Sequence, residues 1–380
     1  MYAEHPRLRI QRGETVPISA ARVAAILTSA RVDALLEYVV TDEVTYLFVI
    51  RPGQDVHVHR VPITRARLQQ QVANFRQRLA DRDLGYGPSA RALFRQLIGP
   101  ADADIRSAKL LCIVPDGPLW ELPFQALQLE PRQFLIDRQA IFLAPSATVL
   151  EETLRLKPRR EGPATLLAIG NPKTSSAVTQ RLKEIYRDAA LGPLPQSERE
   201  VRQIAAIYGA ANSRVYIGAE AREDRVKAEA GRFRVIHFAT HGVLDDASPL
   251  YSRLVLASSG SLSDDGLLEA REIMQLNLDA DLAVLSACDT GRGRAGAGEG
   301  LIGLTWALFV AGCPTTVASQ WKVSSQSTAD LMIDFHRRLR SNADRSPAVA
   351  LRDAALQVRR NPEYRHPFYW AAFVLIGDGH

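Results

Sequence analysis

The chain has 380 residues, with 47 Lys and Arg against 42 Asp and Glu, a formal charge of +5, three Cys and 46% hydrophobic residues. That length makes two domains or one large one and buries a full core without disulfide or metal staples, which excludes the small secreted scaffolds. Charged residues at 23% with 24 Gly and 21 Pro exclude collagen, extended disorder and coiled-coil arrays.

Regular alternation begins only after the first thirty residues, which are polar and Arg-rich. "ALLEYVVTDEVTYLFVIRPGQDVHVHRVP", residues 34–62, predicts a three-strand meander with turns at Thr41, Asp42 and Glu43 and at 52–55. A helical stripe of Ile63, Leu68, Val72, Phe75 and Leu79 follows, then a shorter helix, "SARALFRQLIGP", stopped by Gly99 and Pro100. "KLLCIVPDG" reads as a buried strand. The charged, proline-bracketed "KPRREGP", residues 157–163, is the best linker, so the boundary is expected near 158, with domains 1–157 and 158–380.

Beyond it strands and helices alternate: "ATLLAIGNP", a helix from Ser197, "FRVIHFATHG", "DLAVLSACDTG", a helix over 299–312, "TTVASQW", a helix over 324–340 and a last strand "WAAFVLIGD". The alternation predicts an α/β fold with a mainly parallel sheet covered on both faces. Ligands in such sheets bind beyond the carboxyl ends of the strands. "HFATHG" and "LSACDTG" both place polar residues and a Gly there.

Other function classes find little support. Of the 47 basic residues 41 are Arg, scattered along the chain, whereas nucleic-acid modules concentrate charge and interleave aromatics; no nucleic-acid contact is expected. The longest apolar runs fall short of the roughly 20 residues that span a bilayer, and the first residues carry no apolar leader segment, so no membrane association and a cytoplasmic location are expected. Cys112, Cys288 and Cys313 suit neither a disulfide framework nor a zinc site.

The chemistry concentrates on His241 and Cys288, which follow two buried strands. A thiol needs a neighbouring base to become a reactive thiolate, and an imidazole at an adjacent strand end supplies one. His241 lies 47 residues before Cys288, close to the roughly 50 residues between His and Cys in caspases. The amides of Gly242 and Cys288 are the candidate oxyanion hole. Cys112, inside "LLCIV", and Cys313, before Pro314, read as core thiols.

"VIHFATHG", "LAVLSACDTG", "GEG" and "SQWKV" resemble the CHAT family of caspase-like cysteine peptidases, and so do "ALLEYVV", "LCIVPDGPLWELPFQAL", "APSATVL", "AIGNP" and "LPQSEREV", in the family's order over residues 30–378. The resemblance implies a caspase-like three-layer α/β sandwich preceded by a degenerate, caspase-like, noncatalytic half. By position it makes His241 the base and Cys288 the nucleophile, the His-Gly form favouring His241 over His237, which reads as a hydrogen-bonded strand residue. It implies a polypeptide substrate, no cofactor, and a role in sensor-controlled bacterial defence or cell death. Many members carry tetratricopeptide repeats before this region; here some thirty residues precede the meander, so either the regulatory part belongs to a longer protein or an activating protein partner is expected as a separate chain. Ser286, two residues before Cys288, is small and neutral and argues for no charged P1 residue; Asp289, Gln320 and Trp321 complete the candidate substrate contacts, with core packing open as the alternative for Trp321. A silent scaffold and another thiol acyl-transfer enzyme are the rival readings.

Three further patterns fail on chemistry. "GRGRAG", residues 291–296, matches G-x-G-x-x-G but lacks the acidic residue that would bind ribose. "HVH", residues 57–59, has no Cys, Asp or Glu cluster at ligand spacing, and His237 with His241 lacks the Glu of the metalloprotease motif, so no metal is expected. "SDDG" and Asp245 with Asp246 read as solvated acidic turns.

Overall fold

Ser19 caps a helix that the polar composition of the N-terminal stretch concealed. In α1 (Ala20–Ser29) the Ser19 hydroxyl accepts from the Arg22 amide at 3.2 Å, and Val23, Ile26 and Leu27 form a buried stripe too short to register in the average polarity. The computed structural model describes residues 18–156, 163–185, 191–245, 247–261, 264–286, 299–341 and 346–380. The chain divides into two units, Met1–Pro158 with Ser346–Arg352 and Leu375–His380, and Arg159–Arg345 with Asp353–Val374.

In the first unit the expected meander is β1 (Ala34–Val40), β2 (Thr45–Ile50) and β3 (His57–Val61), all antiparallel. β1 then pairs in parallel with β4 (Leu110–Val114), and β4 with β5 (Ala140–Leu143). Thr64 caps α2 (Arg65–Ala80), which buries Leu68, Val72, Phe75 and Leu79, the predicted stripe.

The second unit carries a wholly parallel sheet. Its strands are β6 (Leu166–Pro172), β7 (Ser213–Gly218), β8 (Val235–Ala239), β12 (Leu282–Leu285) and β13 (Thr315–Ser319), in spatial order β7-β6-β8-β12-β13. Alternation assigns its two faces. Leu167, Ile169, Ile236, Phe238, Ala283 and Leu285 point into one core with residues of α7 (Glu223–Glu229), α8 (Ala270–Ile273) and α9 (Glu299–Ala311). On the other face lie α6 (Pro195–Tyr208) and α10 (Ser325–Ser341), both reached by His237 of β8. Helices on both faces of a parallel sheet give the expected three layers.

"FRVIHFATHG" is not one strand. β8 ends at Ala239, the Thr240 hydroxyl donates to the Val255 carbonyl, and the chain turns into β9 (His241–Val243), the first strand of a small antiparallel sheet with β10 (Arg253–Val255) and β11 (Leu267–Glu269). These three-residue strands are too short for a period-2 signal. A further helix of the unit, α5 (Ser176–Ile185), places Val178 and Leu182 against Val243, Val255 and Leu267. Among the described residues no helix is long and apolar enough to cross a membrane.

At Gly170 α6 lies close against the sheet: a Cβ there would meet Val201 Cγ2 at 2.8 Å and the Ser197 carbonyl at 2.9 Å. Backbone carbonyl cannot yield as a side chain can, so Gly170→Ala is expected to lose about 1–3 kcal/mol in urea unfolding. Gly192→Ala, with nothing within 4 Å of its Cβ, is expected to leave the midpoint nearly unchanged.

Candidate active site at the carboxyl ends of the parallel sheet

His241 opens β9 with its side chain almost wholly enclosed, at 7% exposure. Its Nε2 lies 2.8 Å from the carbonyl oxygen of Gly192, in the segment leading into α6. A carbonyl only accepts, so Nε2–H is the donor, and the lone pair of the neutral ring is placed on Nδ1. The contact thus selects the tautomer and makes Nδ1 the basic atom. Sequence reasoning missed Gly192, which contributes a backbone oxygen and no side chain; its only trace is the turn composition of "LGPLP".

Gly242 is buried and pairs with Leu254 across β9 and β10. Ser286 follows β12 at 5% exposure, and its Oγ has no hydrogen-bond partner among the described residues. Gln320 and Trp321 follow β13. The Gln320 amide donates to the Ala372 carbonyl at 2.8 Å, and the Trp321 indole, 3% exposed, donates to the Phe368 carbonyl at 3.2 Å. Both side chains are buried. Cys288 and Asp289 lie outside the described residues, as does the "GRGRAG" segment.

Beneath His241 runs a buried polar chain. Glu200 of α6 meets His237 Nε2 at 2.8 Å, His237 Nδ1 meets His336 Nε2 at 3.1 Å, and His336 Nδ1 meets the Tyr208 hydroxyl at 3.0 Å. The ring nitrogens of both histidines are engaged, and none of the four residues exceeds 4% exposure. His237 is therefore the hydrogen-bonded strand residue expected, and the chain ties β8 to helices α6 and α10. Burial, and then the neighbouring His237, hold His336 well below its ordinary value.

The other sequence candidates resolve into structural contacts. Cys112 and Cys313 are buried, and desolvation pushes the Cys112 thiol far up and the Cys313 thiol to about 12, so both are inert. His57 Nδ1 is hydrogen-bonded to Asp104 at 2.8 Å, and the same carboxylate lies 3.5 Å from His59 Nε2 without a hydrogen bond, a neighbour too distant in sequence to be read from spacing. The acidic turns are bonded rather than merely solvated: Asp264 meets Lys227 at 3.2 Å, Asp265 pairs with Arg181, and Asp245 accepts from the Ser248 amide at 2.8 Å. No group of three or more His, Cys, Asp or Glu among the described residues could hold a metal ion.

This three-layer α/β architecture is the caspase-like fold. Two crystal structures of the Saccharomyces cerevisiae separase–securin complex superpose with TM-scores of 0.55 and 0.51 at 8% and 10% identity, each over 94% of this chain and about 30% of that one. The CHAT domain model matches residues 87–378, and the chain belongs to that family. Tetratricopeptide repeat protein 28 is 28% identical in Homo sapiens and 27% in Mus musculus, over 336 residues and 77% of this chain; the match spans 13% of those much longer proteins.

The buried histidine chain gives a pH signature. Because the folded state holds His336 below its ordinary 6.5 while the unfolded chain binds a proton near that value, stability is full above pH 6.5 and falls below it, by up to about 1.4 kcal/mol per pH unit. Between pH 6.5 and 5 the parent is expected to lose more stability than His336→Gln in urea unfolding, and equal losses would contradict this assignment.

Proposed function

We propose that the chain is a cysteine endopeptidase in which His241 is the base and Cys288 the nucleophile. The observation that carries this reading is the Gly192 carbonyl on His241 Nε2. A histidine held in one tautomer, with its basic Nδ1 at the end of a parallel strand, is equipped to take a proton. The strand register supports the pairing: Phe238 lies beside Leu285, and three further residues lead from each to His241 and to Cys288.

In this mechanism His241 Nδ1 takes the Cys288 proton, the thiolate attacks the scissile carbonyl, and the amides of Gly242 and Cys288 receive the oxyanion. His241 then protonates the leaving amine, and water hydrolyses the thioester. The substrate is a polypeptide, with Ser286 and Asp289 near its P1 residue and Gln320 walling the site. Residues 158–380 form the catalytic part. Residues 1–157 form the noncatalytic half that receives an activating protein, in a pathway of the bacterial defence or cell-death type that the family resemblance suggests.

One observation favours a second reading. The curated relatives are tetratricopeptide repeat proteins by name, which suits a catalytically silent scaffold for protein partners.

N-terminal peptide profiling of a bacterial proteome separates the two. The parent is expected to generate new N-termini that are absent with Cys288→Ala and reduced roughly 10²–10⁴-fold with His241→Gln. Identical profiles for parent and Cys288→Ala, with and without host lysate as activator, would favour the scaffold.

A further inference from the structure

Four non-glycine residues among those described have positive φ: Arg31, Arg82, Arg132 and Asn171. Arg31 and Arg82 follow the ends of α1 and α2, and Arg132 lies in the turn between two short strands, where such a conformation is common. Asn171 is different. It sits inside β6 at φ +45°, where the pairing with β7 shifts register between Gly170 and Pro172. A register shift of this kind redirects a side chain, and Asn is one of the few residues that tolerates the left-handed region.

The redirected side chain reaches the segment that holds His241. Asn171 Oδ1 accepts the Leu194 amide at 2.7 Å, and Leu194 is the N-cap of α6, which has no side-chain cap of its own. Leu194 stands between Pro193 and Pro195, whose rings fix φ on either side. Anchoring its amide therefore fixes the Gly192 carbonyl two residues earlier, and that carbonyl bonds His241 Nε2.

We propose that Asn171 is a positioning residue for His241, acting through Leu194 and the Gly192 carbonyl to hold the Nε2–H tautomer. The proposal rests on the reading of His241 as the base. It assigns the strained turn in "AIGNP" a task in the chemistry, although Asn171 touches neither substrate nor reacting atom.

The test uses the full chain carrying Cys288→Ala, so that the thiol does not titrate with the imidazole, labelled with ¹⁵N-histidine and assigned against His241→Gln. The parent is expected to show a pyridine-type Nδ1 and a pyrrole-type Nε2 at His241. Asn171→Gly keeps the positive φ and removes the acceptor; it is expected to mix the two tautomers. Because an imidazolium donates to a carbonyl more strongly than a neutral ring does, losing that contact is expected to lower the His241 pKa by about 0.5 to 1 unit. Asn171→Asp restores the acceptor and is expected to return both readouts toward the parent, which a merely structural role would not require. In the catalytic chain Asn171→Gly is expected to lower kcat roughly ten- to hundredfold with KM little changed.

A tautomer and pKa unaffected by Asn171→Gly, or altered by it and not recovered in Asn171→Asp, would overturn the proposal. Neither NMR readout depends on peptidase activity. A tautomer that responds to Asn171 in a chain that cleaves nothing would sink the peptidase reading and leave the positioning role supported.

Discussion

The hydrogen bond from His241 Nε2 to the Gly192 carbonyl is the constraint on which the rest of the site depends. It sets the tautomer of the imidazole that follows the carboxyl end of β8, and it does so with a backbone atom whose position is set by its surroundings. Much of the second unit bears on where that carbonyl stands. Gly170 allows α6 to approach β6 closely, the prolines around Leu194 stiffen the approach to the helix, and Glu200 ties the same helix to β8 through His237. One helix thus relates both histidines of β8 and β9.

The two histidines divide the work by environment. His237 and His336 are sealed within a hydrogen-bonded chain in which both ring nitrogens are engaged, which suits a structural element and leaves no basic atom for chemistry. His241, four residues later, lies beyond the end of β8 on a different sheet. The break at Thr240 creates that difference: it takes the chain out of the parallel sheet and turns the second imidazole toward Gly192. Cys112 and Cys313 are buried where ionisation is suppressed, which removes them from competition with Cys288.

Most of the α/β layering was legible because buried parallel strands write continuous apolar runs such as "VIHFA" and "LAVL", and because α2 wrote a full helical stripe. His241 was legible because its residue type and strand-end place both carry information. What escaped has no such signature. α1 hid its stripe within an Arg-rich stretch, β9, β10 and β11 are too short to show a period, and Gly192 acts through its backbone. Asn171 and Asp104 act through partners far along the chain, at Leu194 and at His57 and His59, and such pairings exist only once the fold brings them together.

The measurement that tests the central claim most directly is the pH dependence of alkylation by iodoacetamide, read at each cysteine by mass spectrometry, for the parent and for His241→Gln. The account predicts that Cys112 and Cys313 remain unmodified in the folded protein. Cys288 should react as a thiolate with an apparent pKa below the ordinary value of about 8.5, returning to that value when His241 is replaced. The same Cys288 profile in both proteins would mean that His241 does not activate the thiol and would contradict the account.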